Sequence, residues 1–112
     1  MVPSVEIDAL PDPLPDDVLV LDVREDDEWA AGHINGALHI PLMELPARLG
    51  EFTAREPAQT LVVCKAGGRS ARATAYLAQQ GWDVVNLIDG MMGWERAGRK
   101  MVADGGQAPV VL

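Results

Sequence analysis

Residues 60–81 read TLVVCKAGGRSARATAYLAQQG and combine three local patterns. The first five residues are a largely apolar run ending at Cys64, which is typical of a strand buried on both faces of a parallel sheet. The glycine-rich KAGGR that follows predicts a loop. The remainder predicts a helix with Ser70 as its N-cap and Gly81 just past its end. A strand, a tight loop and a helix are therefore expected in succession, with Cys64 last in the strand.

Similar patterns occur on both sides of this stretch. The other predicted strands lie at residues 5–7, 18–23, 38–40 and 83–88. The other predicted helices lie at residues 26–32, 42–50 and 91–98. Strands that alternate with helices predict one α/β domain over residues 1–112, with a central parallel sheet flanked by helices on both faces. The tail, residues 101–112, lacks periodicity and is expected to be mobile, with docking of its last three residues, VVL, as the alternative.

Composition and charge exclude several classes of function. The chain has 112 residues, of which 48% are hydrophobic and 23% charged, so a globular domain is expected. Its net charge of -8 disfavours nucleic acid and anionic membranes as partners, because both are polyanions. Residues 1–60 carry thirteen acids and three bases, whereas residues 61–112 carry four acids and six bases, so a small anion is expected to bind in the second half. The N-terminus lacks a signal-peptide pattern, which predicts a cytoplasmic protein.

Cys64 is the single cysteine of the chain. An intramolecular disulfide, a CxxC redox pair and a Cys-rich zinc site all need more than one. The two histidines, His33 and His39, do not form an HExxH pattern. We therefore expect neither a metal site nor a cofactor.

The surroundings of Cys64 favour a reactive thiol. The carboxyl ends of parallel strands form the ligand-binding edge of an α/β sheet, and a glycine-rich loop that leads into a helix presents backbone N–H groups to an anion. Lys65, Arg69 and Arg72 add positive charge, and the same field stabilises a thiolate. The alternatives are a small buried hydrophobic residue and an ordinary turn between strand and helix. The combination of cysteine, two glycines and arginine favours the reactive site.

These segments resemble the rhodanese family. CKAGGRS at residues 64–70 is similar to the active-site loop of single-domain rhodaneses, a cysteine and an arginine separated by four residues. LDVREDDEW at residues 21–29 and AGHINGA at residues 31–37 resemble the family's upstream signature. LIDGMMGW at residues 87–94 resembles its closing motif, and the whole resemblance covers residues 18–98.

The resemblance implies a rhodanese-like fold and a thiosulfate sulfurtransferase activity. Cys64 would take a sulfane sulfur from thiosulfate or a similar donor, become a persulfide, and pass the sulfur to cyanide or to a thiol. The loop that would hold the donor and the persulfide consists of Lys65, Ala66, Gly67, Gly68 and Arg69. Because no second cysteine can resolve the persulfide, the acceptor is expected to be external, either a small molecule or a protein.

Two alternatives remain open. One is a rhodanese-like sulfur carrier or docking module that serves a protein partner. The other is a small phosphatase or arsenate reductase, which is disfavoured because those enzymes place five residues between cysteine and arginine, whereas four separate Cys64 from Arg69.

The remaining motif residues are interpreted as structural. Asp22 and Arg24 are expected to tie a strand end to its neighbouring loops, and His33 to hydrogen-bond within its turn. The acidic residues 25–28 are expected to form the solvated start of a helix. Gly90 is followed by Met91 instead of the family's frequent second glycine, and Met91 and Met92 are expected to line the mouth of the pocket.

Overall fold

The computed structural model describes residues 2–112 and places five parallel strands in one sheet. The strands are β1 (Ser4–Val5), β2 (Val18–Asp22), β3 (Leu38–His39), β4 (Gln59–Val63) and β5 (Val84–Leu87). Their order across the sheet is β1-β5-β4-β2-β3. The predicted parallel sheet is therefore confirmed, and the two most apolar predicted strands, β2 and β4, lie side by side.

Helices cover both faces of the sheet. They are α1 (Asp26–Ala31), α2 (Leu49–Thr53), α3 (Gly68–Gln79) and α4 (Gly90–Arg96). Phe52 of α2 and Leu77 of α3 pack in one apolar cluster with Val62, and Trp94 of α4 packs in a second cluster with Val63. Since neighbouring residues of a strand point to opposite faces, β4 contributes to both clusters, which explains its nearly continuous apolar sequence.

The prediction of one helix from Leu42 to Gly50 is wrong. The chain forms a single 3-10 turn, Leu42–Glu44, and α2 begins only at Leu49 and contains Gly50. Pro46 lies between them, and its ring would clash with the carbonyl of Leu42 in a continuous helix.

The start of α3 also differs from the prediction. Gly67 is the N-cap, with a left-handed backbone at φ +98°, and Ser70 lies inside the helix. The glycine makes this early start possible because a residue with a Cβ rarely adopts that conformation. The Ser70 side chain is consequently free to turn toward Cys64 and accepts no capping hydrogen bond.

Residues 101–112, for which a mobile tail was predicted, contact the rest of the domain in the structure. Val102 and His33 exchange two backbone hydrogen bonds of 2.8 Å, and the Val110 N–H donates to the Ala31 carbonyl at 2.9 Å. Val111 packs against the apolar cluster that contains Trp94. Backbone pairing with a distant segment does not require a periodic sequence, so this docking leaves no signature in the tail itself.

Gly32 packs closely against the backbone of the tail at Val110. A Cβ at this position would lie 2.5 Å from the Val110 carbonyl oxygen. We expect Gly32→Ala to lower the free energy of unfolding by about 1–3 kcal/mol through this clash. Urea denaturation measures the effect, and Gly50→Ala is the control, because nothing lies within 4 Å of a Cβ there. Equal stabilities of the two variants would show that the tail is not packed as described.

Within residues 2–112, no helix is both long and apolar enough to cross a membrane.

Candidate active site

Cys64 lies directly after β4 at the carboxyl edge of the sheet, and only 1% of its surface is exposed. Its Sγ accepts a hydrogen bond from the Gly67 N–H at 3.1 Å and a second from the Ser70 hydroxyl at 3.2 Å. The Cys64 carbonyl accepts from the Met91 N–H at 2.8 Å, which ties the loop to α4. Donors pointed at a sulfur stabilise negative charge on it.

Two glycines allow the backbone to approach this closely. Gly67 and Gly90 both have positive φ, +98° and +63°. A Cβ on Gly67 would collide with the Ile88 carbonyl, and one on Gly90 would collide with the Lys65 carbonyl. The glycine of the closing motif therefore acts on the loop after Cys64, because it lets α4 begin against that loop.

A polar contact behind the sulfur was not predicted from the sequence. The Ser70 Oγ lies 2.5 Å from the Asn86 Oδ1, and the Asn86 Nδ2 donates to the Gly67 carbonyl at 3.2 Å. Because the hydroxyl has a single proton, Cys64 Sγ and Asn86 Oδ1 compete for it. The only signal in the sequence is one asparagine within the apolar run of β5.

Removing the Ser70 hydroxyl tests its contribution to the sulfur. We expect Ser70→Ala to slow the loading of sulfur onto Cys64 about tenfold, since a hydrogen bond to a charged group contributes about 1.5–3 kcal/mol. Rapid-quench mass spectrometry measures the rate. Ser4→Ala is the control, because that exposed hydroxyl bonds only to the Val2 carbonyl. A rate equal to that of the wild type would show that the Gly67 N–H suffices.

Arg69, predicted to hold an anion, already has a partner. Its two terminal nitrogens donate to both carboxylate oxygens of Glu28, at 2.7 and 2.9 Å. These bonds, helped by one from the Glu25 backbone, lower the pKa of Glu28 to about 2 despite its partial burial. Because the pKa of Glu28 is lower in the folded state, the ion pair stabilises the fold at pH values above the ordinary pKa of a glutamate. This contribution is lost as the pH falls toward 2.

The acidic start of α1 was interpreted as solvated, and for Glu28 that interpretation is wrong. Its side chain also accepts from the Glu25 N–H at 3.0 Å and completes a capping box with Glu25. The partner in the ion pair is 41 residues away in sequence, so the pairing depends on the fold and not on local spacing.

The structural interpretation of Asp22 and Arg24 is confirmed. The Arg24 guanidinium is fully buried, binds the Asp22 carboxylate at 2.7 Å and donates to the carbonyls of Glu28 and Gly32. Arg24 therefore holds both ends of the segment from Glu28 to Gly32.

His33 also has the expected structural role. Its Nδ1 lies 2.7 Å from the Trp29 carbonyl, and its ring stacks on Trp29 with 3.6 Å between centroids. His39 stacks on Trp29 as well, at 4.7 Å, and its Nε2 lies 2.7 Å from the Arg24 carbonyl. The two histidines thus hold the residue after Glu28 in place.

Other predicted groups of the site lie on the loop after Cys64, on α3 and on α4. Lys65 and Arg72 are exposed, and Met92 is 44% exposed. Met91 is fully buried in the core, so the expectation that it lines the mouth is wrong. A cavity of about 430 Å³ is lined by Lys65, Met92, Glu95, Arg96, Val111 and Leu112. A larger cavity of about 720 Å³ contains none of the predicted site residues.

Comparison with known proteins agrees with this arrangement. The sequence model of the rhodanese-like domain family matches residues 7–97 of this chain. A sulfurtransferase of Allochromatium vinosum is 38% identical over 109 residues, 95% of this chain and 100% of that protein. The thiosulfate sulfurtransferase GlpE of Pseudomonas entomophila is 40% identical over 72 residues, 64% of each chain. The crystal structure of a rhodanese-related protein from Thermoplasma volcanium has a TM-score of 0.81 at 30% identity, and the match covers 91% of this chain and 99% of that one. The chain belongs to the rhodanese-like domain family.

Proposed function

We propose that the protein is a sulfurtransferase that carries a sulfane sulfur on Cys64, taken from thiosulfate or a similar donor and passed to an external acceptor. The observation that carries the proposal is the pair of hydrogen bonds donated to the Cys64 sulfur by the Gly67 N–H and the Ser70 hydroxyl. Family membership supports the same activity.

In the first step, the Cys64 thiolate attacks the outer sulfur of thiosulfate. A bond forms between Sγ and that sulfur, the S–S bond of thiosulfate breaks, and sulfite leaves with the electron pair. The product is a persulfide anion on Cys64, and no oxidant is consumed. Gly67 and Ser70 supply the donors that stabilise charge on the sulfur in the reactant.

In the second step, cyanide or an acceptor thiolate attacks the outer sulfur of the persulfide. The new bond forms to the acceptor, and Cys64 leaves as the thiolate, ready for another turn. The described residues include no second thiol, so the acceptor comes from outside the chain.

The rest of the loop binds the donor in this proposal. Gly67 and Gly68 keep the backbone open, Lys65 places a cation at the entrance, and Ala66 leaves the approach free of bulk. Arg69 bounds the loop on the side of Glu28. We therefore retain Cys64 as the nucleophile and residues 65–69 as the binding loop.

Mass spectrometry of the intact protein tests the proposal. Incubation with thiosulfate is expected to add the mass of one sulfur atom, and cyanide is then expected to remove it as thiocyanate. A protein that thiosulfate does not load, but that accepts sulfur from a cysteine desulfurase, would be a sulfur carrier. Hydrolysis of p-nitrophenyl phosphate without sulfur loading would contradict both assignments.

A further inference from the structure

The positive charge around Cys64 is smaller than the sequence suggests. Of the three nearby cations, Arg69 is the one that is partly buried, and its two terminal nitrogens are occupied by Glu28. Lys65 and Arg72 are exposed, so solvent and salt weaken their fields. An anion entering the loop therefore meets a neutralised ion pair in place of a free guanidinium.

Glu28 cannot easily leave this position. Its backbone carbonyl accepts from the buried Arg24, and its side chain is held by the capping box with Glu25. The next residue, Trp29, is stacked between two histidine rings. With a pKa of about 2, the carboxylate also stays ionised at every pH at which the thiolate chemistry is relevant. The negative charge is thus a fixed part of the site.

The Glu28 carboxylate cancels the attraction of Arg69 for an anion, and the attraction that is cancelled is proportional to the anion's charge. Thiosulfate carries two negative charges, and a donor with one loses half as much attraction. We propose that Glu28 is a specificity-determining residue that makes the site favour singly charged sulfane donors over thiosulfate. This inference rests on the proposed sulfur transfer to Cys64 and adds the class of donor.

Methanethiosulfonate is a matched singly charged donor, since a methyl group replaces one oxygen of thiosulfate. The Cys64 thiolate attacks its outer sulfur, the Sγ–S bond forms, and the S–S bond of the donor breaks. Methanesulfinate leaves with the electron pair, whereas sulfite leaves from thiosulfate. Both donors transfer the same atom and leave the same persulfide. The ratio of their kcat/KM values therefore reports on the charge of the donor.

The experiment measures sulfur loading of the full chain by each donor, as kcat/KM, in the wild type and in Glu28→Gln. Glutamine at the third position of a helix still completes a capping box, so the variant is expected to fold, and thermal melting verifies this. We expect loading by thiosulfate to rise about fivefold, which corresponds to about 1 kcal/mol, the size of a Coulomb interaction that water screens. Loading by methanethiosulfonate is expected to rise only about twofold, because its single charge gains half of that energy.

Two further variants separate charge from geometry. Asp27→Asn removes an exposed charge from the same helical turn and is expected to keep the wild-type donor ratio. Glu28→Asp keeps the charge but shortens the reach to Arg69, and it is also expected to keep the preference for the singly charged donor.

The outcomes distinguish this inference from the function on which it rests. A parallel loss of both activities in Glu28→Gln would show that Glu28 only holds Arg69 in place, and would overturn the inference. An unchanged donor ratio would overturn it too. Neither result would contradict the proposed transfer of sulfur to Cys64. If neither donor loads the wild type, the proposed function fails and the inference with it.

Discussion

Replacing Cys64 by serine is expected to abolish sulfur loading, with a loss of at least about a thousandfold in transfer from thiosulfate to cyanide. A serine hydroxyl remains protonated at neutral pH and cannot form a persulfide. Intact mass after incubation with thiosulfate, together with thiocyanate formation, measures the loss. Because Cys64 is the single cysteine, no other thiol of the chain can substitute for it.

The fold of this variant is expected to persist, which makes the result interpretable. The serine oxygen can accept the hydrogen bond that the Gly67 N–H donates to sulfur, and the two side chains are similar in size. Far-UV circular dichroism and thermal melting check this, and wild-type protein alkylated at Cys64 is the matched control. A folded Cys64→Ser variant that still forms thiocyanate would refute the proposed nucleophile.

The second large effect concerns stability. We expect Arg24→Met to lower the free energy of unfolding by about 3–5 kcal/mol, because it leaves the Asp22 carboxylate buried without its cation. It also leaves the carbonyls of Glu28 and Gly32 without the donor they share. Urea denaturation measures the change in the free energy of unfolding. In the extreme case the variant would no longer fold and would show no cooperative unfolding transition.

Arg48→Met is the matched control for this prediction. Arg48 pairs with Glu44 and Glu51 at the surface, where ion pairs contribute about 0–1 kcal/mol. A destabilisation below about 1 kcal/mol is therefore expected. If the two variants were equally stable, the buried pair of Arg24 and Asp22 would not hold the segment from Glu28 to Gly32 as described.

The sequence was sufficient to predict the parallel sheet and the location of the glycine-rich loop after Cys64. Strand β4 and the glycines after Cys64 carry strong local patterns, since burial on both faces requires apolar residues and positive φ requires glycine. The resemblance to the family pattern predicted that Arg24 is structural, together with Asp22 at the end of a strand.

The environment of the sulfur was not predictable in this way. Asn86 reaches the site because β5 lies beside β4, and Glu28 reaches Arg69 because α1 lies across the loop. Both contacts join residues that are distant in sequence, and nothing local marks them. The failed helix at Leu42 has another cause, since one proline overrides an otherwise good periodicity.

The position of β1 has a consequence for the order of events during synthesis. Ser4 and Val5 of β1 pair with Asn86 and Leu87 of β5. The first strand to be synthesised therefore has no partner until the last strand is available. Parallel pairing across so long a segment is slow, because the loop must close before the contacts stabilise it. Asn86 also completes the hydrogen bonds behind Cys64. The hydrogen bonds behind the Cys64 sulfur therefore form only after β5 has joined the sheet, late in the assembly of the domain.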